Sequence, residues 1–125
     1  MPIVEIKGLT VQEFRDAPVW IESLKKAIEE AIVSVKQLQL TGDLVTFSCV
    51  YDPTLTHINA DMIIAVEKLF EYPPGKPARC TADCDELATV IHAAVEKLPG
   101  NQNRFVEVFV ELFNNATNGY SASDR

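Results

Sequence analysis

The sequence predicts an α/β (α+β) fold in which a β-α-β unit occurs twice, giving a four-stranded sheet with two helices on one face. Two long segments repeat apolar residues at helical spacing, and each lies between two strand-like segments. The predicted strand starts Pro2 and Leu44 recur, at nearly equal intervals, at Asp61 and Phe105. A helix between parallel strands crosses over on one side of the sheet, so both helices are expected on the same face.

Length and composition indicate one globular domain. The 125 residues fit a single domain of residues 1–125, with units at about 2–52 and 61–113 and a polar C-terminal tail. With 47% hydrophobic and 23% charged residues, the chain can bury a core. Its net charge of −7 argues against a nucleic-acid partner, because nucleic-acid-binding domains carry a basic surface.

The first unit begins with a half-buried strand at Pro2–Lys7, and Gly8–Arg15 is predicted to be a loop. Asp16 is expected to cap the helix that follows, and Pro18 is tolerated in the first turn of that helix. The β-rich run Leu44–Tyr51 completes the unit. The apolar face of the helix is formed by Trp20, Leu24, Ala27, Ile28, Ala31 and Val35.

The second unit repeats this order. A strand that is apolar on both faces starts at Met62 and extends towards Glu71, where the proline-rich turn Pro73–Pro77 ends it. Thr81 or Asp83 starts the second helix, and Phe105–Phe113 is the last strand. The apolar face of the second helix is formed by Leu87, Val90, Ile91, Ala94, Val95 and Leu98.

The helices leave one face of such a sheet uncovered. Ile3 and several apolar residues of Met62–Val66 fall on that face, so we expect self-association. The amino terminus lacks the basic and apolar regions of a secretory signal, and no apolar run predicts a membrane span. These features predict a cytoplasmic protein with no membrane partner.

Cysteine and histidine spacing gives little support for a metal site. The cysteines are Cys49, Cys80 and Cys84, which are expected to stay reduced in the cytosol. Only the distant His57 and His92 could complete a zinc site with the closely spaced pair. We therefore predict no metal and no other cofactor.

Pro2 is the candidate with the most specific chemistry. If Met1 is removed, Pro2 presents a secondary amine at the head of a strand. An α-amino group titrates at about 7.7–8.0, and partial burial lowers its pKa by disfavouring the cation. A base that titrates near neutral pH suits general acid–base catalysis. The alternative is that proline simply starts a strand, where no hydrogen-bond donor is needed.

A duplicated β-α-β of this length, beginning Met-Pro-Ile-Val-Glu-Ile, resembles the tautomerase superfamily. The resemblance covers Pro2 to about Tyr120, and its most specific elements are Pro2, the repeat spacing and the strand ends Cys49–Asp52 and Phe109–Leu112. It implies a homotrimer with sites at subunit boundaries and Pro2 as the catalytic base. It also implies a small carboxylate substrate with a keto, enol or halo group.

The same resemblance implies further site residues. Lys76 and Arg79 lie in the loop where dehalogenases of the superfamily bind the substrate carboxylate, although both could be solvated loop charges. Arg15 lies roughly where small members carry a substrate-binding arginine, and an ion pair at the helix start is an equal alternative. Glu111 falls where the dehalogenases keep a water-activating glutamate. Tyr120, in a tail similar to that of some members, is assigned to substrate binding.

These residues support two classes of function. The first is a proton-transfer enzyme, a keto–enol tautomerase or isomerase of a small 2-oxo or unsaturated acid, with Pro2 as general base. A variant of it is a hydratase, dehalogenase or decarboxylase in which Glu111 assists water. The second is a non-catalytic oligomer that binds a small ligand or a protein. Retention of Met1 favours the second class, because it turns the Pro2 nitrogen into an amide.

Overall fold

The computed structural model describes residues 2–9, 11–50, 62–101 and 104–123. Its four strands form one sheet in the spatial order β2-β1-β3-β4. The pairs β1–β2 and β3–β4 are parallel, and β1 and β3 join the two halves as an antiparallel pair. This confirms the predicted four-stranded sheet. The strands are β1 (Ile3–Lys7), β2 (Thr46–Val50), β3 (Met62–Phe70) and β4 (Val106–Phe113).

Two long helices, α2 (Pro18–Ser34) and α3 (Thr81–Glu96), pack on one face of this sheet. Alternate strand residues point to opposite faces, so each strand contributes every second residue to the core beneath the helices. The uncovered side, which we call the open face, carries Ile3, Glu5 and Lys7 of β1. The buried residues that join sheet and helices include Val4, Ile6, Ile64, Val66, Leu24, Ile28, Leu87 and Ile91.

A short helix, α1 (Val11–Asp16), occupies most of the segment predicted to be the loop Gly8–Arg15. The loop prediction was wrong there, and so was the assignment of Asp16 as the cap of α2. Asp16 ends α1, and the N-cap of α2 is Ala17, whose side chain makes no capping hydrogen bond. The Ala17 amide donates to the Glu13 carbonyl at 3.0 Å, which continues the turn of α1 up to the start of α2.

The buried face of α2 is rotated from the predicted one. Ile21 and Ile32 are buried, whereas Trp20 lies at the edge of the core and Ala27 is half-buried. Trp20 is held at this edge because its indole N–H donates to the Pro99 carbonyl at 2.7 Å. The predicted face of α3 is closer to the structure, and its buried residues are Cys84, Leu87, Ile91 and Val95.

Two strand boundaries differ from the predictions. β2 starts at Thr46 rather than Leu44, because Gly42–Leu44 forms a 3₁₀ turn before the strand. β4 starts at Val106, one residue after Phe105. The predicted boundary between the units, with Tyr51, Asp52, Asp61 and His57, lies outside the described residues, as does Met1. Division of the chain into two units at that boundary stays a prediction.

A β-bulge interrupts β3 near its end. The register with β4 shifts between Val66 and Leu69, and Lys68 within the bulge has a φ of 60°. The left-handed region is unfavourable for a residue with a Cβ atom. Beyond the bulge, Leu69 is buried under the helices while Phe70 pairs with Phe113 of β4. The bulge therefore determines which side chains at the end of β3 face the core and which face away from it.

Candidate functional site

A cavity of about 180 Å³ lies where β1 begins and β3 ends. These two ends meet because β1 and β3 are antiparallel. Residues from four segments reach the cavity: the start of β1, the segment 40–44 before β2, the end of β3 and the turn after it. We call it the Pro2 cavity. It is lined by Pro2, Leu40, Leu44, Phe70, Pro73, Pro74, Lys76 and Arg79.

Pro2 is buried at the mouth of the first strand. Its carbonyl accepts a hydrogen bond from the Thr46 amide at 3.1 Å, which fixes the residue against the start of β2. The following residues, Val4 and Ile6, are completely buried in the core. The first strand is therefore paired on both edges and packed on its core face, which places Pro2 beside the start of β2.

Arg79 is the buried cation of the cavity, with 6% of its surface exposed. Its Nη1 donates to the Phe70 carbonyl at 3.0 Å and its Nη2 to the Leu38 carbonyl at 2.8 Å. Its Nε has no hydrogen-bond partner, and among the described residues Arg79 forms no ion pair. Burial lowers the pKa of this guanidinium, and the carboxylate of Asp83 partly offsets the effect. An arginine side chain nevertheless stays charged at neutral pH.

Lys76 also lies in the turn that follows β3 and lines the Pro2 cavity. Gly75 before it has a φ of 71°, a conformation that glycine adopts without steric cost. The Lys76 Nζ donates to the Gln39 carbonyl at 2.9 Å, which ties this turn to the segment before β2. Two cations therefore line one small cavity with Pro2, a convergence suited to binding a carboxylate.

The other three predicted site residues lie elsewhere. Arg15 is exposed in the last turn of α1 and does not line the Pro2 cavity. Glu111 is exposed on β4, on the open face of the sheet. Tyr120 is 62% exposed, and its ring contacts Phe70 edge-on with centroids 4.8 Å apart. The catalytic and binding roles assigned to these residues stay predictions.

The sequence did not single out Phe70, Leu40 or Leu44 as lining residues. Each lies next to a turn: Phe70 comes before the proline-rich turn, and the leucines lie on either side of Thr41-Gly42-Asp43. Their position beside turns is the signal that could have identified them as lining residues. It can be used only when it is known which strand ends and turns lie together in the fold.

No family model matches the sequence, and no curated protein matches it. Solved structures do match along nearly the whole chain. A 5-carboxymethyl-2-hydroxymuconate delta-isomerase superposes with a TM-score of 0.64 at 14% identity, covering 100% of this chain and 89% of that one. A fused 4-OT, described as an asymmetric trimer, gives 0.61 at 13% identity over 97% and 94% of the two chains. The chain has the tautomerase fold.

A malonate semialdehyde decarboxylase, described with decarboxylase and hydratase activities, superposes on the same fold. Its TM-score is 0.57 at 13% identity, over 98% of this chain and 92% of that one. The resemblance to the tautomerase superfamily inferred from the sequence is thus confirmed for the fold. Within the part of the chain that the structure describes, no helix is long and apolar enough to cross a membrane.

Proposed function

We propose that this protein is a proton-transfer enzyme, a keto–enol tautomerase or isomerase of a small 2-oxo or unsaturated carboxylic acid. Pro2 is its general base once Met1 has been removed. The observation that carries the proposal is the placement of Pro2 and Arg79 in one cavity, where the guanidinium is buried without an ion-pair partner among the described residues. A buried charge is stabilised when a counter-ion pairs with it, and a substrate carboxylate is such a counter-ion.

The proposed chemistry follows from this arrangement. The substrate carboxylate binds next to Arg79 and Lys76, which fixes the carbonyl end of the molecule. The free Pro2 nitrogen accepts a proton from one position of the enol–ketone pair and returns it to another. Negative charge that develops on the enolate oxygen is stabilised by a preorganised cation, which lowers the barrier as well as improving binding. The cavity of about 180 Å³ favours small acids.

The test combines intact-protein mass spectrometry with ketonisation assays on 2-hydroxymuconate and on the enol form of phenylpyruvate. We expect a mass that corresponds to loss of Met1, and a fall in kcat/KM of about 100-fold or more in Pro2→Ala, because a positioned base contributes at least this factor. Arg79→Gln is expected to raise KM most strongly. Lys97→Gln, which alters a cation distant from the cavity, is the matched control. A native protein that retains Met1, or a fully active Pro2→Ala variant, would contradict the mechanism.

A second candidate is hydration or decarboxylation within the same cavity. It is favoured by the similarity to the malonate semialdehyde decarboxylase, whose description names both activities. Glu111, predicted to assist water, is exposed on the open face and does not line the Pro2 cavity. In this candidate Glu111 of one copy would reach the Pro2 cavity of a neighbouring copy. Release of CO₂ from malonate semialdehyde, lost in Glu111→Gln, would favour it over tautomerisation.

We also propose that the protein assembles as a homotrimer in the cytoplasm. Two matching structures are fused 4-OT proteins described as trimers. The open face of this chain carries exposed apolar side chains, of which Phe109 on β4 is 51% exposed. Contact between copies would cover them.

A further inference from the structure

The backbone at Gln39 adopts a conformation that is unfavourable for most residues. Gln39 follows the 3₁₀ segment Lys36–Leu38 and has a φ of 52° and a ψ of 42°, in the left-handed region. Residues with a Cβ atom rarely occupy this region, and glycine or asparagine is usual where a helical segment ends in it. The Gln39 side chain is exposed and makes no hydrogen bond to the described residues. The conformation is therefore maintained by contacts of the backbone rather than of the side chain.

The φ and ψ angles of Gln39 determine where two consecutive carbonyls point. In an extended backbone successive carbonyls point in opposite directions, whereas in a helical conformation of either hand they point to the same side. The Leu38 and Gln39 carbonyls are related through these two dihedral angles alone. Both are therefore directed to one side, towards the segment between β3 and α3.

Each of these carbonyls accepts a hydrogen bond from one cation of the Pro2 cavity. The Arg79 Nη2 donates to the Leu38 carbonyl at 2.8 Å, and the Lys76 Nζ donates to the Gln39 carbonyl at 2.9 Å. Among the described residues neither cation has a carboxylate within ion-pair distance. The backbone of one residue thus sets the position of the two positive charges relative to each other.

The segment that carries Gln39 is itself held on both sides. Leu38 and Leu40 are buried in the core, and Gln37 donates to the carboxylate of Glu86 on α3. The two carbonyls therefore present fixed dipoles to the cations. A lysine has three donors and an arginine has five, so donors of both cations remain for a ligand after the carbonyls have accepted theirs.

We propose that Gln39 is a positioning residue, whose left-handed backbone holds Arg79 and Lys76 at the spacing at which both bind one carboxylate group. The inference rests on the proposed function, in which these two cations bind the substrate carboxylate. It adds that the preference of the cavity for anions over neutral analogues depends on the backbone conformation at Gln39. The Gln39 side chain takes no part in it.

Binding of crotonate, a small unsaturated acid, tests this inference without turnover. NMR titration gives its affinity, and that of neutral crotonamide, for the unmodified protein and three variants. Gln39→Ala removes the side chain, Gln39→Gly also relieves the left-handed conformation, and Gln39→Val opposes it, because a β-branched residue is the least compatible with a positive φ. Gln39→Ala and Gln39→Gly are expected to bind crotonate as the unmodified protein does. Gln39→Val is expected to bind it about tenfold more weakly, the effect of losing a hydrogen bond to a charged group, and to bind crotonamide unchanged.

Thr41→Val is the matched control. It introduces the same side chain in the same segment, where the backbone is extended with a φ of −113° and a ψ of 159°, and it is expected to leave crotonate affinity unchanged. Urea denaturation checks that each variant is folded, and Gln39→Thr, which is β-branched but polar, replaces Gln39→Val if that variant does not fold.

Several outcomes would overturn the inference. Weaker crotonate binding in Gln39→Ala or Gln39→Gly would assign the role to the side chain. Unchanged crotonate affinity in the β-branched variant, or an equal loss of crotonate and crotonamide, would show that the backbone at Gln39 does not position the charges. Either result, together with loss of ketonisation in Pro2→Ala, would overturn this inference and leave the proposed function standing. No crotonate binding by the unmodified protein would overturn both the inference and the carboxylate site of the proposed function.

Discussion

Arg79 is the residue whose surroundings most restrict what the Pro2 cavity can bind. Transfer of a cation from water into protein costs several kcal/mol even after relaxation. Two carbonyl oxygens offset part of this cost at Arg79, but they carry no full negative charge. The chain as a whole has a net charge of −7, so an anion is attracted only where a local cation outweighs the overall field. The small carboxylate that we propose as substrate satisfies both conditions.

The three cysteines differ in environment and are expected to differ in reactivity. Burial raises the pKa of the Cys84 thiol, and nearby Asp83 adds to the effect; burial also raises the pKa of Cys49. Cys80 is exposed. Because the thiolate is the reactive form, a raised pKa moves alkylation to higher pH. At pH 7.5, iodoacetamide is expected to label Cys80 about tenfold faster than Cys84 and Cys49.

Peptide mapping by mass spectrometry across pH 7–10 measures these rates. Labelling of Cys84 and Cys49 is expected to accelerate towards the upper end of that range, and all three cysteines should react at similar rates in urea. Equal rates in the folded protein at neutral pH would show that the three environments do not affect the rate at which the thiols are alkylated.

At the scale of the elements, the bulge in β3 is the feature with the clearest energetic signature. Glycine in a regular strand costs about 0.5–1 kcal/mol, whereas a non-glycine residue in the left-handed region costs about 1–2 kcal/mol. Lys68→Gly is therefore expected to raise the free energy of unfolding by roughly 0–1.5 kcal/mol, because relief of the left-handed conformation equals or exceeds the cost of the glycine. Lys7→Gly, in regular β1, is expected to lower it by about 1 kcal/mol.

Urea denaturation at one protein concentration compares the two variants, with the slope of the transition checked for equality. A difference of about 1 kcal/mol or more is the diagnostic quantity, because both substitutions remove a lysine from the same sheet. A loss at Lys68 as large as that at Lys7 would mean that the left-handed conformation carries no strain in solution.

The elements also show which parts of the structure can be predicted from the sequence and which cannot. The long helices were predicted because their periodic patterns extend over several turns. The strands were predicted because alternation or a run of β-forming residues can be recognised in about five residues. α1 was missed because six residues, Val11–Asp16, are too few to establish a helical repeat. The bulge at Lys68 was missed because lysine carries no signal for a positive φ. The face of α2 was displaced because Trp20 is apolar in composition yet is held at the edge by its hydrogen bond to Pro99.

At the scale of the whole molecule, the candidate site depends on how the two halves pair. The resemblance pointed to Pro2, Lys76 and Arg79 separately, by position in the chain. Their common cavity requires the antiparallel pairing of β1 with β3, which joins the two halves of the sheet and which no local pattern records.

Assembly is the property of the whole molecule that the open face predicts. Phe109 is 51% exposed on β4, and Glu107 and Glu111 flank it on the same face. Phe109→Glu would place three carboxylates in a row on a surface proposed to be buried between copies, where like charges are destabilising. We expect size-exclusion chromatography with light scattering to show a trimer for the unmodified protein and a folded monomer for Phe109→Glu.

Val19→Glu is the matched control for this variant. Val19 is 78% exposed near the start of α2, on the helical side of the molecule, so a new carboxylate there leaves the open face unchanged. A carboxylate near the start of a helix is also compatible with the helix dipole. The control is expected to stay trimeric, with a circular dichroism spectrum equal to that of Phe109→Glu. A monomeric unmodified protein would contradict the proposed assembly. Dissociation caused by Val19→Glu alone would place the contact between copies away from the open face, because only a surface buried by assembly is sensitive to a new charge in this way.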